Sequence, residues 1–203
     1  MWAERVLPFL IEKACRSSAI LEERKRRIPR AHGEVLEVGV GTGLNFAFYD
    51  RERVTRVTGI DPSPALLAKA RVRVASAPVP VELVEAAAEA LPFVNHAFDS
   101  AVITYSLCSV ADPARALAEL RRVLRPGGEL VIVEHGLAPD ARTQRWQKGL
   151  TPVWRRIAGG CRLDRDHAAL LRDAGFASEI SSGYSEGAKL LSYTYEGIAS
   201  SPR

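Results

Sequence analysis

The segment Glu37-Val38-Gly39-Val40-Gly41-Thr42-Gly43 constrains this chain more than any other. It follows the apolar pair Val35-Leu36 and precedes Leu44-Asn45-Phe46-Ala47-Phe48-Tyr49. An apolar run closing on a carboxylate, then glycines at alternate positions, then a helix-like pattern describes a β-strand handing over to a helix. The turn between them lets a ligand approach the backbone. A dinucleotide fingerprint, G-x-G-x-x-G, would need glycine at position 44, where the chain has Leu44. The pattern is that of a nucleotide-binding turn of another kind.

Downstream, the sequence alternates strand and helix signals. Strand one is expected over Glu34 to Val38, followed by a short helix from about Leu44. A second strand, Val54 to Ile60, ends at Asp61. A carboxylate there, about 20 residues past a glycine turn, is placed to accept both ribose hydroxyls of an adenosine moiety. Ser63 as N-cap and Pro64 as first helical residue predict a helix to about Ala75. Strand three follows at Val81 to Val84 and strand four at Ala97 to Thr104. Asp112-Pro113 opens a helix with Leu117, Leu120, Val123 and Leu124 on one face, and Pro126-Gly127-Gly128 stops it before strand five, Glu129 to Val133. A helix from about Asp164 to Ala174 and strands near Phe176 to Ser181 and Leu190 to Tyr195 complete the pattern. Such alternation implies a parallel sheet with helices on both faces.

The E-x-G-x-G-x-G turn resembles the first motif of class I S-adenosylmethionine-dependent methyltransferases. Ala88-Glu89-Ala90-Leu91-Pro92-Phe93 resembles the segment that lies along the adenine ring in small-molecule members, except that Ala87 stands where the commonest version has Asp. Glu119 to Gly128 resembles a third family motif. Leu107-Cys108-Ser109-Val110, Glu134-His135, a Trp-containing insert and Gly160-Cys161 narrow the likeness to the group containing the animal microsomal thiol methyltransferases and their bacterial relatives. The resemblance implies an α/β fold: a Rossmann-like, doubly wound, seven-stranded, mostly parallel sheet whose last strand is antiparallel, forming a single domain. It implies S-adenosyl-L-methionine as cofactor and S-adenosyl-L-homocysteine as product. Glu37, Gly39, Gly41, Gly43, Asn45, Asp61, Pro62, Ala88, Glu89, Thr104 and Tyr105 are the expected cofactor residues, and Cys108, Trp146 and Trp154 the expected acceptor residues. The acceptor is a small molecule: a thiol, a lipid head-group amine or a quinone-like ring. A non-catalytic protein that binds the cofactor and docks on a membrane or partner is the other reading.

A sulfonium methyl group is already activated, so positioning matters more than a rich catalytic constellation. His135, just past the carboxyl end of strand five, is the candidate base; the alternative is a histidine that shapes the pocket floor. Glu134 beside it points to the opposite face of a strand. Residues 137–162 form an insertion, amphipathic in composition and expected to act as a substrate lid. An amphipathic helix is expected over 1–30, covering the sheet or the cofactor.

Length and composition bound the remaining classes. The chain has 203 residues, 47% hydrophobic and 26% charged, which suits one soluble domain. Its apolar runs fall short of the roughly 20 residues that span a bilayer. The start reads as neither a signal peptide nor an apolar anchor, so a cytoplasmic protein is expected, with peripheral membrane contact as the alternative. The three cysteines, Cys15, Cys108 and Cys161, and the four histidines show no zinc-ligand spacing, and no metal is expected. Despite a net charge of +4, the one dense basic run, Arg24 to Arg27, lacks interleaved aromatics and reads as a solvated helix end, not a nucleic-acid site.

Overall fold

The computed structural model describes Glu12, Cys15–Ser185 and Ala188–Pro202. Of the amphipathic helix expected over 1–30, residues 1–11, 13 and 14 lie outside them, and within them the chain turns extended at Ser17, so a helix begins afresh at Ser18. Helix α1 (Ser18–Arg27) leads into β1 (Gly33–Val38), then β2 (Val54–Asp61), α2 (Pro64–Val74), β3 (Val81–Glu85), β4 (Phe98–Thr104), α3 (Pro113–Val123) and β5 (Leu124–His135). Helices α4 (Ala141–Ile157) and α5 (His167–Asp173) precede β6 (Ala177–Tyr184) and β7 (Tyr193–Ser200).

The sheet order is β3-β2-β1-β4-β5-β7-β6. β7 alone runs against its neighbours, pairing antiparallel with both β5 and β6, as expected for the last strand. The central strands are apolar on both faces, the mark of a parallel sheet covered by helices on both sides. Period-two alternation divides the core. Leu36, Ile60, Ile103 and Ile132 face α3 and α5 through Leu117, Leu120 and Leu171. Val35, Val57, Val102 and Val131 face the other way, onto Leu67 and Ala70 of α2 and onto Ile28, Phe46 and Tyr49.

The helix starts follow side-chain caps. Ser63 Oγ accepts from the Leu66 amide at 3.4 Å, Asp112 Oδ1 from Arg115 at 3.0 Å and Asp140 Oδ1 from Thr143 at 2.9 Å. Several boundaries differ from expectation, β6 and β7 running on to Tyr184 and Ser200 beyond the expected Ser181 and Tyr195. The glycine turn leads only to a single 3-10 turn, Phe46–Phe48. β5 begins at Leu124, because Leu124 turns extended and pairs with Phe98, so Pro126-Gly127-Gly128 lies within the strand and not before it. α5 begins at His167, because Arg162 holds the Asp164 carboxylate and Asp166 supplies the cap. β7 begins at Tyr193, because Ala188 and Leu191 close a turn through a 2.8 Å hydrogen bond.

Candidate active site

The carboxyl ends of β1, β2 and β4 open onto a cavity of about 480 Å³, within the range of small-molecule sites. Eight of the expected cofactor residues line it: Gly39, Gly41, Asp61, Pro62, Ala88, Glu89, Thr104 and Tyr105. Two glycines serve different ends. At Gly39, φ is +69° and a Cβ would fall 2.3 Å from Ser106 Oγ, so the side chain is excluded by packing. At Gly41, φ is +56° and a Cβ would meet only the Gly39 carbonyl at 3.9 Å, so the space in front of it is left to a ligand.

Asp61 is pinned at the end of β2. Its Oδ2 accepts the Gly41 amide at 3.0 Å and its Oδ1 the Ser63 amide at 2.9 Å. Burial raises its pKa against those two amides. Each oxygen keeps a further lone pair for a ligand hydroxyl.

Glu37, Gly43 and Asn45 do not line the cavity. Glu37 is 2% exposed and accepts the Tyr49 hydroxyl at 2.7 Å and Asn45 Nδ2 at 3.0 Å. Burial drives its carboxyl up to about 7, against the opposing pull of Tyr49, Arg24 and Asn45. Asn45 Nδ2 also donates to Thr104 Oγ1 at 3.0 Å, and Gly43 packs on the Phe46 ring. These residues brace the glycine turn from behind.

Arg24 completes the brace from α1. Its Nη1 donates to Asn45 Oδ1 and, at 2.8 Å, to Thr104 Oγ1. It is 5% exposed, lines the cavity, lies over the Tyr105 ring at 5.7 Å, and its buried Nε has no hydrogen-bond partner among the described residues. Sequence reasoning placed Arg24 on a solvated helix end. The signal that could have found it is helical phase, since it shares a face with Ile20, Leu21 and the buried Ile28. Arg26 and Arg27, by contrast, pair with Glu196 on the outside.

Tyr105 turns the chain at the end of β4 in the left-handed region, with φ at +52°, a conformation that clusters at functional sites. Its hydroxyl donates to Glu23, and burial together with that carboxylate holds the phenol far above its ordinary pKa. The three residues after it fold over Glu134, whose carboxylate accepts the amides of Ser106 at 2.5 Å, Leu107 at 2.6 Å and Cys108 at 3.4 Å. Glu134 is fully buried and turned away from His135, so it organises the loop and does not orient the imidazole.

His135 stacks on Tyr105 with ring centroids 6.3 Å apart, and its Nε2 lies 3.1 Å from Cys161 Sγ. The expected acceptor residues separate. Cys108 is 2% exposed and joins His135 and Cys161 behind the cavity wall, their ligating atoms all within 4.8 Å of one another. Trp154 Nε1 donates to Cys161 Sγ at 3.3 Å, whereas Trp146 is 59% exposed on α4 and does not line the cavity. Cys108 and burial raise the Cys161 pKa.

Residues 36–132 match the methyltransferase-domain family. Over 178 residues the chain is 35% identical to human thiol S-methyltransferase TMT1B, covering 81% of this chain and 72% of that protein. The chain belongs to the class I S-adenosylmethionine-dependent methyltransferases. The methyltransferase is also 43% identical over 122 residues to phosphatidylethanolamine N-methyltransferase of Cereibacter sphaeroides, covering 57% of this chain and 59% of that one. A solved methyltransferase from Methanosarcina mazei shares its fold, with TM-score 0.65 at 23% identity over 85% of this chain and 94% of that chain. S-adenosylmethionine is the methyltransferase's cofactor, and the cavity fits it. The free lone pairs of Asp61, the open space before Gly41 and the guanidinium of Arg24, whose Nε has no partner among the described residues, suit a ribose, a sulfonium chain and a carboxylate.

Proposed function

We propose that this methyltransferase methylates a small apolar thiol. Bound S-adenosylmethionine supplies an electrophilic methyl group. The chain's own residues hold and orient: Asp61 accepts the ribose hydroxyls, Gly41 leaves room for the sulfonium chain, Arg24 faces the carboxylate, and Ala88 and Glu89 border the adenine. The acceptor occupies the end beyond Tyr105, near Cys15, Ser109 and Gly159. The methyl group would pass to its sulfur, leaving the demethylated cofactor, and the thiol proton would leave to solvent. His135 stands behind the Tyr105 ring and is not among the cavity's lining residues, so it acts as a positioning residue, not by direct contact.

The observation that carries the thiol reading over an amine is the state of the bordering carboxylates. Glu12 is paired with Lys69 and Arg73, Asp61 with two amides, and Glu89 with the amides of Ala111 and Asp112. Each is already engaged and poorly placed to strip an ammonium of its proton. The similarity to a thiol S-methyltransferase over most of the chain supports the same reading. Labelled cofactor offered with matched apolar thiols, amines and quinols tests it. Label is expected in thioether; preferential labelling of nitrogen or ring carbon would overturn the thiol.

Peripheral contact with an anionic membrane belongs to the same proposal. Among the described residues no helix is long and apolar enough to cross a membrane. α4 instead presents Trp146, Leu150, Val153 and Ile157 outward, 59%, 40%, 59% and 50% exposed, at spacings that keep them on one face. The helix also carries Arg142, Arg145, Lys148, Arg155 and Arg156, and no acidic residue. An apolar stripe beside basic residues suits an interfacial helix, each basic residue contributing about 1 kcal/mol near anionic lipid. α4 ends beside Gly159, so segment 137–162, expected as a lid, would sit between lipid and acceptor. Sedimentation with phosphatidylcholine vesicles, with and without phosphatidylglycerol, checks this. Binding should require the anionic lipid and weaken at least tenfold in a Trp146→Glu, Val153→Glu variant; indifference to lipid charge would overturn it.

A further inference from the structure

We propose that Cys108, His135 and Cys161 form a binding site for a thiophilic divalent ion of the zinc class, held by two thiolates and one imidazole beside the acceptor end of the cavity. The three residues lie on different segments: Cys108 after β4, His135 at the end of β5 and Cys161 after α4. Adjacent strands and the return of the chain from α4 bring their ligating atoms within 4.8 Å of one another, with the His135 to Cys161 pair at 3.1 Å. Tetrahedral zinc, with Zn–S about 2.3 Å and Zn–N about 2.0 Å, sets its ligand atoms roughly 3.5–3.8 Å apart. The cluster is close to that spacing, and small side-chain movements reach it.

The surroundings hold the ligands in place. The Cys108 amide is fixed by Glu134 at 3.4 Å, and its carbonyl accepts the Arg162 amide at 3.0 Å, which ties the Cys108 segment to the Cys161 segment. Arg165 clamps the same loop through the carbonyls of Leu107 and, at 2.6 Å, Val110. Trp154 Nε1 at 3.3 Å from Cys161 Sγ and Ser109 Oγ at 3.5 Å from Cys108 Sγ are outer donors suited to thiolates. Charge balances as well. A dication enters, two thiol protons leave, and the buried cluster has the same net charge before and after.

Three protein ligands leave a fourth position. Tyr105 packs on His135, Ser109 follows Cys108 and Gly159 lies two residues before Cys161, and all three line the cavity, so this layer stands between the ion and the acceptor end. An acceptor thiol reaching the fourth position would bind as thiolate. That use rests on the thiol reading; the ion site does not depend on it.

The test uses the full chain, stripped with chelator under reductant and titrated with Zn2+ alone against a chromophoric competitor. One equivalent should bind, and Co2+ in its place should give the intense visible absorption and near-ultraviolet charge-transfer band of tetrahedral thiolate coordination. Cys108→Ser and Cys161→Ser should each weaken binding 100-fold or more, while Cys15→Ser leaves the stoichiometry unchanged. Because a ligand variant can lose its fold, thiol alkylation of the unmodified protein supplies a second readout: Zn2+ should protect two of three thiols. No stoichiometric uptake, a cobalt spectrum without thiolate bands, or three thiols equally reactive with Zn2+ present would each overturn the site. Failure of thiol methylation with the ion still bound would instead refute the acceptor and leave the site standing.

Discussion

Glu134 Oε1 lies 2.6 Å from the backbone nitrogen of Leu107, the middle one of three successive amides that converge on this single buried carboxylate. The arrangement ties the loop after β4 to β5 and sets where Tyr105 and Cys108 stand. Glu134→Gln replaces an acceptor-only group by one whose NH2 confronts backbone donors. Losing the charge-assisted bonds should cost about 3 kcal/mol, lowering Tm by roughly 6–12 °C in a protein of this size. Differential scanning calorimetry measures it, and a loss under 1 kcal/mol would show that the loop holds without the carboxylate.

Glu37 gives a pH dependence whose sign is opposite to that of an ion-paired carboxylate. Folding raises its pKa from 4.5 to about 7, so between those values the folded chain keeps a proton that the unfolded chain has lost. Stability from this group is therefore fullest below the lower value and declines as pH rises to the upper one. The size is about 3 kcal/mol at most. The Tm difference between the protein and Glu37→Gln, followed from pH 4 to 8 without cofactor, should shift in favour of the variant as pH rises. A difference that stays flat would mean that Glu37 is ionised throughout.

For the proposed ribose contact, Asp61→Ala should weaken S-adenosylmethionine binding by about 1.5–3 kcal/mol, roughly 10- to 150-fold. Gly41→Ala should cost about 1–2 kcal/mol of backbone strain and a larger share of cofactor affinity, since its Cβ enters the space before the turn. Gly39→Ala should instead strike folding first, because Ser106 already occupies the place of a Cβ. Calorimetric titration beside thermal melts separates the three.

Arg24 and Arg26 are two positions apart and should behave as different kinds of residue. Arg24→Ala leaves Asn45 and Thr104 short of a buried donor and should reduce cofactor affinity tenfold or more. Arg26→Ala removes an exposed partner of Glu196 and should cost under about 1 kcal/mol with cofactor binding unchanged. Equal effects on cofactor affinity would refute the assignment of Arg24 to the site.

The parts legible in the sequence are those that rest on local pattern. Buried parallel strands read as apolar runs, Ser63 and Asp112 announce helix starts, and Asp61 stands where a strand meets a turn. Pro126-Gly127-Gly128 misled because its strand is held by a partner, Phe98, that local sequence does not reveal. Arg24 was hidden among cations that do face water. Glu134 carried a signal in retrospect, a carboxylate closing the apolar run Leu130 to Val133, but its partners are backbone amides and leave no mark in sequence. The meeting of Cys108, His135 and Cys161 depends on strand order and on the return from α4, which no spacing rule encodes.

The position of β7 decides when the molecule can be finished. Among the described strands β6 touches the sheet only through β7, and β7 follows it in the chain. A chain emerging from the ribosome can lay down β1 to β5 as each parallel pair becomes available, but β6 must wait for the strand behind it. Until then β5, the strand that carries Glu134 and His135, is an open edge with unpaired amides along its length. Glu134 and His135 thus join a fully paired strand only in the final act of folding, and a ribosome that stalls before Tyr193 leaves a nearly complete sheet with its most adhesive border exposed.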